Sequence, residues 1–373
     1  MMRRRDFLKT AGCYAGAVVG AAALGGCASL LRRSDVGELP KATPTDAPIE
    51  NSPTPPPLDA SPTASSQPPV VPPVNRVVLV KTDDRAEGVR RAIDLLEYNP
   101  FPDRSVFVKP NFNSSDPAPG STHNTTLQTL IESLYDQGAG RITVGDRSGM
   151  GNTYAVMQQK GIIQMGEEYG FDTVVFDQLG ANDWVNFSPD NSHWREGFSF
   201  ARPLLDADSI VQTCCLKTHR YGGHFTLSLK NSVGMVAKHV PGNGYNYMNE
   251  LHGSSHQRRM IAEINAVYVP DLVLMDGVEA FVDGGPATGT KVHPGVILAG
   301  VDRIAIDAVG VAILRYFGTT PEVAKGPIFE LDQIARAVDL DLGVDAPDKI
   351  EIVTGDPPSA EFAARITDVL MMS

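Results

Sequence analysis

From Val77 to the C-terminus, short β-rich runs alternate with stretches of helical spacing, and this alternation is the strongest constraint on the fold. Val77–Val80 reads as a strand. Arg85–Tyr98 follows as a helix, because Val89, Ile93 and Leu96 recur at helical spacing. Further strand-like runs are Ser105–Val108, Arg141–Val144, Asp172–Phe176, Ser209–Leu216, Asp271–Met275, Val292–Leu298 and Lys349–Val353. Between them Asn124–Gln137, Tyr154–Tyr169, His256–Val269, Pro327–Val338 and Ala360–Leu370 read as helices. Asp302 reads as the cap of another helix, which runs to Phe317. A less regular insertion, Asp177–Phe198, holds both tryptophans. Alternating strands and helices predict an α/β fold. Its mainly parallel sheet is flanked by helices on both faces in a Rossmann-like three-layer arrangement.

The first 75 residues stand outside that pattern. Arg3-Arg4-Arg5-Asp6-Phe7-Leu8-Lys9 precedes a small, apolar run from Ala11 to Leu24, too short and too rich in Gly and Ala for a comfortable membrane span. Twin arginines followed by Phe-Leu-Lys resemble a Tat export signal. Leu24-Gly25-Gly26-Cys27 resembles a lipobox, in which the cysteine receives lipid. Residues 1–26 are therefore expected to be a signal peptide read by the Tat export machinery. Cys27 is expected to anchor the chain to a membrane on its extracytoplasmic side. Gly37–Asn75 holds 12 prolines in 39 residues, a composition that cannot bury enough apolar surface to offset ordering entropy. Residues 27–75 are thus expected to be a disordered tether, and 76–373 the folded domain.

Net charge is −12 at pH 7. Residues 1–26 contribute four positive charges and one negative, leaving the remainder at about −15. That balance argues against nucleic acid as a partner, while leaving room for local basic pockets. Outside the signal and the lipid site, cysteine is confined to the adjacent Cys214 and Cys215. Neighbouring cysteines seldom meet disulfide geometry, and without a CxxC no cysteine-ligated zinc or iron–sulfur cluster is expected.

The polar residues fall in a pattern. Ser105–Val108 runs into Lys109-Pro110-Asn111, and Arg141–Val144 into Gly145-Asp146-Arg147-Ser148-Gly149. Ser209–Leu216 runs into Lys217-Thr218-His219, and Leu272–Met275 into Asp276-Gly277-Val278-Glu279. In open parallel sheets, ligands bind beyond the carboxyl ends of the strands. Lys109, Asn111, Asp146, Ser148, Gly149 and Asn231 are therefore expected to bind a small anionic ligand or cofactor. The glycine-rich turn would let backbone N–H groups approach an anion, though it lacks P-loop and GxGxxG spacing. Lys217, His219, Lys230, Asp276 and Glu279 are the expected catalytic groups. Asp276 and Glu279 could also hold a hard divalent cation, or pair with the lysines in an ion network. The cofactor itself is not legible. Asp307, inside a helix beside Ile306, Val309 and Ile313, reads either as ordinary helix solvation or as a group turned toward the same crevice.

At these residues the chain resembles the DUF362 family, a large set of prokaryotic proteins of unknown function. Six stretches carry the resemblance: Val108-Lys109-Pro110-Asn111-Phe112, Gly145-Asp146, Lys217-Thr218-His219, Leu229-Lys230-Asn231-Ser232-Val233-Gly234, Asp276-Gly277-Val278-Glu279 with Gly284-Gly285-Pro286, and Asp302-Arg303-Ile304-Ala305-Ile306-Asp307. The resemblance implies that the lysines, asparagines and carboxylates act as one constellation. Many relatives carry ferredoxin-type cysteine clusters, which this chain lacks. Two functions follow as expectations: an exported, membrane-tethered enzyme acting on a small anionic substrate, or a non-catalytic binding protein for an anionic ligand or metal complex.

Overall fold

The computed structural model describes residues 71–372. The expected signal peptide, Cys27 and most of the expected tether lie outside the described residues. Among the described residues ten strands make one large sheet: β1 (Arg76–Lys81), β2 (Ser105–Lys109), β3 (Arg141–Asp146), β4 (Asp172–Val175), β7 (Ser209–His219), β8 (His224–Thr226), β9 (Leu272–Gly284), β10 (Gly289–Val292), β11 (Val296–Gly300) and β12 (Glu351–Val353). Two more, β5 (Trp184–Phe187) and β6 (Phe198–Ala201), pair separately. The order across the large sheet is β12-β1-β11-β9-β7-β2-β3-β4. From β9 to β4 every neighbour is parallel. Within that order only β11 runs against its neighbours, pairing antiparallel with both β1 and β9. The sheet is therefore mostly parallel, as the alternating sequence predicts.

Side chains alternate between two apolar layers. Val78, Val80, Val106, Val108 and Val144 face the helices Arg85–Leu96 and Asn124–Asp136. Leu79, Phe107, Leu216, Met275 and Leu298 face the helix Arg303–Tyr316. A strand covered on both faces reads as a continuous buried run. All eleven residues of β7 are buried, including Lys217 and His219. The helix Arg303–Tyr316 is enclosed as well, with every residue from Arg303 to Leu314 buried. Asp302 caps it, accepting from the N–H groups of Ile304 and Ala305. Among the described residues, no helix is long and apolar enough to cross a membrane.

Several boundaries differ from the sequence reading, each for a local reason. β7 and β9 continue past Leu216 and Met275, because β8 and β10 fold back and supply antiparallel partners. Lys217, His219, Asp276 and Glu279 therefore lie within strands rather than beyond them. The stretch Tyr154–Tyr169 is two helices, broken at Gly161 with φ 71°. Val292–Leu298 is divided by Pro294 and Gly295 into β10 and β11. The insertion with both tryptophans is the β5–β6 ribbon, tied to the domain by Glu263. That buried carboxylate accepts from Ser192 Oγ, His193 N and Arg336 Nε.

Candidate functional site

β2 ends in Lys109, and Pro110 removes the next donor from the ladder. The buried Lys109 ammonium contacts Asp146 Oδ1 at 2.7 Å, from the end of the adjacent β3. It also donates to the carbonyl of Pro110 at 2.6 Å and to Asn231 Oδ1 at 3.2 Å. Asp146 is held in turn by the N–H groups of Phe112 and Arg147, each at 2.7 Å. Burial pulls Lys109 down and Asp146 up from their ordinary pKa values, while each charge opposes the shift of the other.

Lys217 is fully buried, yet among the described residues no carboxylate pairs with it. Its ammonium donates to Asn111 Oδ1 at 2.9 Å and to the carbonyl of Gly120 at 2.5 Å. Arg147 is buried in the same way. Its guanidinium donates to the carbonyls of Val236, Val233 and Ser148, and none of these side-chain bonds reaches an acid. Lys230, on the one-turn helix Ser228–Asn231, is only 9 % exposed, and its ammonium makes no hydrogen bond or ion pair among the described residues. Burial, with Lys217 and Arg147 nearby, pushes its amine down to about 7. His219 is buried with Nδ1 unpartnered; burial, reinforced by Lys230 and Lys217, drives its pKa far below the usual imidazole range.

These groups surround a cavity of about 380 Å³, within the range of small-ligand sites. Lys109, Asn111, Asp146, Gly149, Lys217, His219, Lys230 and Asn231 all line it, so eight of the sequence-predicted residues come together. Asn231 joins the strand ends: its Oδ1 accepts from Lys109 and Asn111, and its Nδ2 donates to the carbonyl of Lys109 at 3.2 Å. Ser148 sits behind the wall, its N–H donating to Thr153 Oγ1 at 2.9 Å.

Asp276 and Glu279 do not reach the cavity. Asp276 accepts from Arg85 Nε at 2.9 Å and Thr126 Oγ1 at 2.7 Å. Glu279 accepts from Arg85 Nη2 at 3.2 Å and Lys291 Nζ at 2.9 Å. The register explains the separation. Lys109 is level with Gln212 and Gln212 with Val273, so Asp276 lies three residues further along. An odd step along a strand reverses the face, which turns Asp276 toward the helices Arg85–Leu96 and Asn124–Asp136. The single expected constellation is thus two clusters. Among the described residues, no group of three or more His, Cys, Asp or Glu is placed to hold a metal ion.

The model of the family described as a domain of unknown function, DUF362, matches residues 106–312. The chain belongs to the DUF362 family. The matched span opens in β2 and closes in the helix Arg303–Tyr316, so it encloses every cavity residue named above. A thylakoid-associated protein of a Synechocystis species is 25 % identical to this DUF362 chain over 218 residues. That alignment covers 57 % of the chain and 64 % of the relative, so the chain spans just under two thirds of the relative's length. Two solved structures at 12 % identity are weakly similar. One is the lactate racemase apoprotein from Thermoanaerobacterium thermosaccharolyticum, covering 78 % of this chain and 86 % of that one with a TM-score of 0.37. The other is a Thermotoga maritima protein, covering 52 % and 51 % with a TM-score of 0.33.

Sequence reasoning missed three parts of this DUF362 site. Arg147 was hidden in a glycine-rich turn. Gly234 gives the cavity its close packing: a Cβ there would lie 2.8 Å from Lys109 Nζ. Asp307 is not solvated at all. It is fully buried and accepts from the N–H groups of Ser228 at 2.7 Å and Leu229 at 3.1 Å, and from Ser228 Oγ at 2.6 Å. A carboxylate from one helix thus caps the short helix that carries Lys230 and Asn231. Its position in the Asp302–Asp307 stretch was the one available signal.

Proposed function

We propose that this DUF362 chain is an exported, lipid-anchored enzyme whose cleft takes a small anionic substrate or cofactor. One observation carries the reading: four buried lysine and arginine side chains (Lys109, Arg147, Lys217 and Lys230) line the cavity, with the exposed Lys238, against one carboxylate, Asp146. Burying a charge is costly unless it is paired, and Asp146 is already taken by Lys109. A carboxylate or phosphate on the ligand supplies the missing counter-charge. In a protein of net charge −12, such a pocket also focuses the field that draws an anion inward. Lys217 and Arg147 bind the anion, and Asn111, Asn231 and the turn at Gly149 fix its position. His219, neutral and unpartnered, and Lys230 exchange protons with it. Asp276 and Glu279 serve from behind the wall by holding Arg85. A relative named for its association with the thylakoid is in keeping with membrane attachment.

Inorganic phosphate titrated against thermal unfolding tests the reading. A ligand at a hundredfold excess over its dissociation constant stabilises by about 2.7 kcal/mol. Wild type should gain stability with phosphate, and Lys217→Met should lose most of the gain. An unchanged midpoint in wild type, or an undiminished gain in the variant, would overturn it. Retention of the anion with no turnover of any supplied substrate would instead mark a binding protein.

A further inference from the structure

Resting on the anion-cleft reading, we infer that Lys230 is an amine nucleophile and that the cleft takes an anionic aldehyde or ketone, held by Lys230 as a Schiff base. The lysines of the cavity are not equivalent. Lys109 is committed to Asp146, Pro110 and Asn231, and Lys217 to Asn111 and Gly120. Among the described residues the Lys230 ammonium is committed to nothing, although it lines the cavity and is almost as buried. An ammonium carries three donors, so a buried one without acceptors is poorly satisfied; a neutral amine has a lone pair to offer. The charges around Lys230 favour the neutral form, since Lys217 and Arg147 press on it and no carboxylate is among its charged neighbours. Desolvation beside another cation is the setting in which lysine forms imines with carbonyl compounds.

The second observation is His219. Its Nδ1 is buried and without a partner, and its ring lies beside the Lys230 stem against Gly223. A Cβ on Gly223 would sit 2.6 Å from Lys230 Cε and 3.0 Å from His219 Nδ1. The step balances with the groups present. The Lys230 lone pair adds to the carbonyl carbon and the C=O π pair moves to oxygen. His219 relays one nitrogen proton to that oxygen, giving a carbinolamine, and then the second to its hydroxyl; the C–O bond breaks, and water leaves as the C=N bond forms. No oxidant or reductant is needed. The ligand's own carboxylate or phosphate rests on Lys217 and Arg147, which places its carbonyl within the cleft where the free amine is.

The test uses the full chain with glyoxylate, an aldehyde that bears a carboxylate, and borohydride to reduce any imine to a stable secondary amine. Peptide mapping should find the label on Lys230 ahead of the exposed Lys349. The rate at Lys230 should rise with a midpoint near pH 7, whereas that at Lys349 should still be rising well above it. Lys230→Arg should take no label in the cleft, and His219→Gln should label Lys230 more slowly than wild type does. Lys230 unlabelled, or labelled no faster than Lys349, overturns the inference. The parallel phosphate titration separates the two readings. Phosphate stabilisation with Lys230 unlabelled removes the imine alone, and no stabilisation removes the anion cleft as well.

Discussion

Lys109 and Lys217 are both buried near the ends of neighbouring strands, yet their charges are balanced in different ways. Lys109 has Asp146 at 2.7 Å, whereas Lys217 has only the neutral oxygens of Asn111 and Gly120. Removing one partner of a buried pair leaves the other uncompensated, at about 3–5 kcal/mol. Lys109→Met should therefore lose stability of that order in urea unfolding. Lys217→Met strands two acceptors, each costing about 1–3 kcal/mol, but also removes a desolvated charge worth several kcal/mol. The two effects nearly cancel, so Lys217→Met should stay within about 2 kcal/mol of wild type while losing phosphate binding. An equal loss in both variants would mean that Lys217 is a structural cation. The importance of these lysines was legible in sequence because each abuts an apolar run, where lysine is rarely found unpaired. Arg147 was not, because its burial depends on carbonyls 86 and 89 residues away, at Val233 and Val236. Nor was the face of Asp276, which is fixed by register across two strand pairs.

The one-turn helix Ser228–Asn231 is too short to be stable alone. Asp307 supplies its cap from the helix Arg303–Tyr316. Asp307→Ala leaves two buried N–H groups and a hydroxyl without that acceptor, and should cost roughly 1–3 kcal/mol. Burial raises the Asp307 carboxyl from 3.8 to about 7. A group whose folded value exceeds its unfolded one contributes stability that is fully present below pH 3.8 and is lost as pH rises through about 7. The wild-type advantage over Asp307→Ala should therefore shrink between pH 4 and pH 7, which unfolding midpoints across that range would show. A pH-independent difference would mean that Asp307 keeps one protonation state throughout. Weaker phosphate binding should accompany the substitution, since Lys230 and Asn231 lose their anchorage. At this scale the sequence revealed which elements exist but not where they stop. Thr218 and His219 look like a strand exit, and β8, only three residues long, gives no periodic signal of the pairing that prolongs β7.

Across the molecule, the parallel half of the sheet from β9 to β4 brings the ends of β2, β3 and β7 to one edge. The mainly parallel architecture was readable from alternation alone. The reversed strand β11 was not, because a buried apolar run has no direction written into it. The lipid anchor proposed for Cys27 belongs to this scale too. Cys27→Ala should move the protein from the membrane fraction to the soluble fraction, and continued membrane retention would count against a lipid at that residue. The unbalanced cations of the cleft, finally, make the protein's lifetime a reporter of its ligand. An empty cleft keeps Lys217 and Arg147 buried without an ion-pair partner among the described residues, which lowers the free energy of opening. Proteolysis follows the population of opened molecules when opening is fast. At constant synthesis, steady-state abundance would then rise and fall with the supply of the anion.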